Sequence, residues 1–104
     1  MEAKEMIDAF KKFESKEELA AAVSYFLTNR ARGNVLSALG ESIALFQTFR
    51  KRFNLEPLTA DQGLNIISRG RTIDAKLFIM CAEIARLLWE QKEKRNENIS
   101  STTL

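Results

Sequence analysis

The stretch IDAKLFIMCAEIARLLWEQKEKRN, residues 73–96, decides how the rest of the chain is read. It contains neither Gly nor Pro and is rich in the straight-chain residues and Ala that favour helix. Set at about 100° per residue, Lys76, Glu83, Arg86 and Glu90 share one narrow polar stripe. Nearly every other position from Ile73 to Trp89 is apolar. Ile73, Leu77, Met80, Cys81, Ile84, Leu87 and Leu88 form one face, and Phe78, Ala82, Ala85 and Trp89 form a second. A surface helix ordinarily carries a single apolar stripe about 100° wide. Two faces need two covers. Either the rest of the chain wraps this helix, or the second face meets another molecule, for which a symmetric homodimer is the commonest arrangement.

Upstream, the pattern stays helical. Thr72 is placed to cap the long helix and Gly70 to stop the one before it. Thr59-Ala60-Asp61-Gln62 reads as a capping box that opens a short helix through Leu64, Ile66 and Ile67. Asn54-Leu55-Glu56-Pro57 is a break. Before it, Val35, Leu36, Leu39, Ile43, Phe46, Phe49 and Phe53 give the stripe of a helix over 35–53, with Glu41, Gln47, Thr48 and Lys51 opposite. Gly40 inside that helix lowers its propensity by roughly 1 kcal/mol, which suggests a neighbouring helix passing close. Gly33-Asn34 is a turn, with Gly33 suited to a positive φ. Ser15-Lys16-Glu17-Glu18 reads as another capping box, leading into Leu19, Ala22, Val23, Phe26 and Leu27. Ala3, Met6, Ile7, Phe10 and Phe13 mark a short first helix. The expected fold is all-α: a bundle of about five helices around the long C-terminal one, a single domain over residues 1–96, with 97–104 a disordered tail.

Composition agrees. The chain has 104 residues, 45% hydrophobic and 29% charged, enough for one core. Four glycines and one proline are too few for the turns of an all-β chain. One cysteine makes no internal disulfide and suits a reducing compartment. No apolar run approaches the roughly 18 residues a membrane span needs, and the polar, acidic start lacks the order of a signal peptide. A cytoplasmic protein is expected, or one of the host-cell interior if the chain is viral.

The chain contains no histidine, which excludes His-based triads and most zinc sites. Cys81 falls on the buried face, where a thiol is inert. Glu83 and Glu90, with Arg86 between them, read as a salt-bridged surface stripe, because the di-iron bundle pattern requires Glu-x-x-His. No phosphate loop or dinucleotide fingerprint is present. No enzyme activity, cofactor, metal or small-molecule substrate is expected.

Charge is uneven. Residues 28–72 carry seven basic and three acidic side chains, with Arg30, Arg32, Arg50, Lys51, Arg52, Arg69 and Arg71 clustered near predicted helix ends. Such clusters suit phosphate, and equally suit helix C-terminal carbonyls. Up-and-down packing would send Arg30, Arg32, Arg69 and Arg71 to one pole and Arg50, Lys51, Arg52, Lys92, Lys94 and Arg95 to the other. A helix-turn-helix reading fails on the apolar circumference of residues 73–89, since a recognition helix must expose polar groups. Thr102-Thr103-Leu104 matches a C-terminal PDZ ligand pattern that short chains meet often by chance.

The function these features favour is a small non-enzymatic regulatory or adaptor protein. It would work through protein–protein contacts, as a homodimer or with another protein, using Phe78, Ala82, Ala85 and Trp89. The alternative is a binder of double-stranded DNA or RNA that uses the seven cationic residues named above.

Overall fold

A computed structural model of the chain describes the backbone of residues 3–10 and 12–103, and the side chains of 5, 7–9 and 12–94. It holds five helices: α1 (Ala3–Phe10), α2 (Lys16–Arg30), α3 (Val35–Arg52), α4 (Ala60–Ile67) and α5 (Ile73–Thr103). No strand occurs among the described residues. The protein is an all-α bundle organised on α5, against which α2, α3 and α4 all pack. The helix α5 continues beyond Asn96, where the sequence pattern stops. The sequence predicts a disordered tail over 97–104, whereas the described backbone is helical to Thr103; Leu104 and the side chains of the Thr102-Thr103-Leu104 pattern lie outside the described residues.

The starts of the helices follow from their capping side chains. Ser15 Oγ accepts the Glu18 amide at 3.1 Å, Asn34 Oδ1 accepts the Ser37 amide at 3.0 Å, and Thr72 Oγ1 accepts the Ala75 amide at 3.1 Å. Among the described residues a full capping box forms only at Thr59. There Gln62 returns the bond by accepting the Thr59 amide at 2.9 Å.

The C-termini of α2 and α3 close in one way. Past the Ala31 cap of α2, the Gly33 amide donates to Thr28 O and the Arg32 amide to Asn29 O. Past the Phe53 cap of α3, the Leu55 amide donates to Arg50 O and the Asn54 amide to Lys51 O. Each loop places its first residue beyond the cap in the left-handed region, Arg32 at φ 54° and Asn54 at φ 59°. Gly33 has the expected positive φ, 80°, but it follows an arginine that also takes one.

The core sits between α2, α3 and α5. Leu19, Val23 and Leu27 meet Ala38, Leu39, Phe46 and Phe49 and the buried arc of α5. The Lys92 ammonium donates to Phe13 O at 2.8 Å, and the Cys81 thiol hydrogen-bonds Ser24, so α2 runs antiparallel to α5. Continuing that register places Arg30 level with Ala75.

Two connections are pinned by side chains. Gln47 on α3 donates to Leu58 O at 2.8 Å and accepts the Leu58 amide at 2.9 Å, while Arg50 Nε donates to Glu56 O at 2.8 Å. Lys76 donates to Ile67 O at 2.9 Å and Gly70 O at 2.8 Å, closing the end of α4. One expectation is corrected. No helix passes close to Gly40: the position is exposed and a Cβ there would meet nothing within 4 Å. The close approach occurs at buried Gly70, where a Cβ would lie 2.8 Å from the Lys76 nitrogen and 3.0 Å from the Ala75 carbonyl carbon.

Candidate functional site

The long helix α5 buries Leu77, Met80, Cys81, Ile84, Ala85, Leu87 and Leu88 inside its own chain. The four residues read as its second face divide. Phe78 is 67% exposed and Ala82, one turn on, is also exposed. Ala85 is 1% exposed and belongs to the core. Trp89 is half-buried against that core. Its Nε1 donates to Glu93 Oε1 at 2.6 Å, and the Lys92 ammonium stands 4.8 Å from its ring centroid. Both the polar edge and one face of the indole are therefore engaged within the chain, as a partly buried Trp requires.

What α5 leaves open is the Phe78–Ala82 strip. Along the α2–α5 register Ala85 lies level with Ala20 and is buried in the core. Phe78 lies level with buried Leu27 and is itself exposed. The polar stripe divides as well: Arg86 and Glu90 form an exposed ion pair at 3.3 Å, whereas Lys76 is committed to the end of α4.

The seven cationic positions fall into three groups. Arg30 pairs with Glu41 at 3.5 Å, an exposed pair worth little. Arg50 is tied to Glu56 O and lies 5.7 Å from the Phe46 ring centroid. Arg32, Lys51, Arg52, Arg69 and Arg71 are exposed, and their side chains have no partner among the described residues. The register of α2 on α5 brings the Arg30–Arg32 turn to the end of the bundle where α5 begins. Lys76 fastens the Ser68–Thr72 turn there too. Lys51 and Arg52 lie at the opposite end, where α3 stops.

Cys81 is buried, and burial pushes its thiol up from 9.0 to about 11 against the smaller opposing effect of the Ser24 hydrogen bond. A protonated, enclosed thiol is a poor nucleophile. Among the described residues no group of three His, Cys, Asp or Glu side chains is placed to hold a metal ion, and no helix is long and apolar enough to cross a membrane.

Two contributors escape a helical-wheel reading. Gln47 and Lys76 occupy polar stripes, yet each reaches main-chain groups outside its own helix, Gln47 those of Leu58 after α3 and Lys76 those of Ile67 and Gly70 before α5. No local signal marks them, because those partners are set by how the segments fold back. Comparison of the chain with protein-family models, curated proteins and solved structures yields no match.

Proposed function

We propose that this chain is a non-enzymatic regulatory or adaptor protein that works by binding protein, with a second copy of itself as the first partner to test. The observation that carries this reading is Phe78. A large aromatic side chain stands 67% exposed on the helix on which the other core helices pack, beside exposed Ala82. Aromatic side chains dominate the energetics of protein interfaces. Trp89 takes a supporting role, because its ring is already engaged by Glu93 and Lys92. The non-enzymatic part rests on the absence of histidine and the burial of Cys81.

Sedimentation at micromolar concentration tests the homodimer: twice the monomer mass is expected, with Phe78→Glu reverting to monomer while helicity is kept. Should wild type sediment as a monomer, the self-association part fails. The broader reading then rests on whether wild-type bait, treated with nuclease, retains a protein from source cells that Phe78→Glu bait loses. If both baits behave alike, the reading fails.

A further inference from the structure

We infer that the end of the bundle where α5 begins is a second binding surface, separate from the Phe78 strip, that takes the phosphate backbone of a nucleic acid duplex. The helices α2 and α4 finish at this end and α3 and α5 start there, so the terminal dipoles offset and side chains set the potential. Glu41 Oε1 pairs with Arg30 while its buried Oε2 has no hydrogen-bond partner among the described residues, and the Lys76 ammonium is bound by two carbonyls. What is left is Arg32, Arg69 and Arg71, exposed and without side-chain partners among the described residues, against exposed Asp74. At the opposite end exposed Lys12, Lys16, Lys51, Arg52 and Lys94 are interspersed with exposed Glu14, Glu17, Glu18 and Glu56.

The backbone that carries these arginines is held in place. Gly70 is pressed onto the backbone of Ala75 and Lys76 so closely that no Cβ fits, and its neighbours Arg69 and Arg71 both stand exposed. Arg32 sits on the α2–α3 turn, inside a hydrogen-bonded loop. Separate turns thus present guanidinium groups from fixed backbone. A lone carboxylate gains little from an exposed arginine. A polyanion gains more, because each neutralised phosphate releases condensed counterions, and Arg offers phosphate bidentate geometry.

The experiment titrates the full chain into labelled RNA and DNA duplexes at low salt and follows affinity as salt rises. Binding with a steep salt dependence is expected, and Arg69→Ala/Arg71→Ala should lower the logarithmic slope by about two, one per lost phosphate contact. Arg32→Gly should weaken binding without loss of folding, since glycine suits that φ. Lys51→Ala/Arg52→Ala should leave affinity within about twofold, as expected for charges outside the contact. Equal losses from the two double variants, or no duplex binding at all, overturn the proposal. Leu36 and Ile73 are exposed apolar side chains at the same end, and a bilayer would take them up. Arginine-dependent binding to phosphatidylserine vesicles in place of duplex would therefore also overturn it.

Discussion

At one end of the bundle α2 passes to α3 through Arg32 and Gly33; at the other, α3 leaves through Asn54 and Leu55. The hydrogen-bonded loops are alike, and both need a left-handed residue in the same place. Asn visits that region readily because its short side chain bonds locally, whereas Arg has no such compensation. Neighbouring connections differ too. Near the arginine end, a bare Cα at Gly70 lets the α4–α5 turn settle onto α5. On the asparagine side, Gln47 and Arg50 draw the segment after α3 back along that helix. One junction therefore combines a close main-chain contact with a lysine that holds two carbonyls, and the other is fastened by side-chain amide and guanidinium groups. The first junction spends a lysine and leaves the neighbouring Arg69 and Arg71 exposed; the second spends an arginine.

The largest effect should come from closing the gap at Gly70. A methyl at 2.8 Å from the Lys76 nitrogen has no flexible neighbour to displace, so the turn must move off α5. Gly70→Ala is expected to destabilise by about 1–3 kcal/mol, the range for overpacking. Urea unfolding monitored by circular dichroism measures it. An unchanged midpoint would mean that this junction does not depend on main-chain contact.

The matching test at the other junction is Gln47→Ala. It removes both bonds to Leu58 and strands a partly buried amide and carbonyl. A loss of about 1–2 kcal/mol follows from leaving such groups unpaired. Faster amide exchange should appear at Leu58 and spare the α4–α5 turn. Exchange quickening equally at both junctions would erase the distinction between them.

Sequence periodicity and capping signals are local, and they located all five helices, the caps at Ser15, Thr59 and Thr72 and the hub role of α5. Contacts between segments are a different kind of information. A helical wheel put Phe78 and Ala85 on one face, but only the neighbour at each level decides that Ala85 is buried and Phe78 is not. The same limit sent the close approach to Gly40 when it belongs to Gly70. Since Gly40 is exposed in mid-helix with empty space around it, Gly40→Ala should stabilise by about 0.8–1 kcal/mol, the propensity difference alone. A loss of stability instead would reveal a packing role for that bare Cα.

The finest comparison sets Arg32 against Asn54. A left-handed conformation costs an ordinary L-residue roughly 1–2 kcal/mol, a cost glycine escapes, although glycine returns part of the gain through its freer unfolded chain. Arg32→Gly is therefore expected to stabilise by about 1 kcal/mol, which for a domain of this size raises Tm by about 4–8 °C. For Asn54→Gly the change should stay within roughly 0.5 kcal/mol, because Asn already tolerates the conformation. Thermal melts of the two variants side by side, at the same salt, read the difference directly. Equal shifts would show that Arg32 carries no special conformational cost. A larger gain at Arg32 would mean that this turn gives up stability in keeping an arginine at that position, as expected where the side chain serves binding.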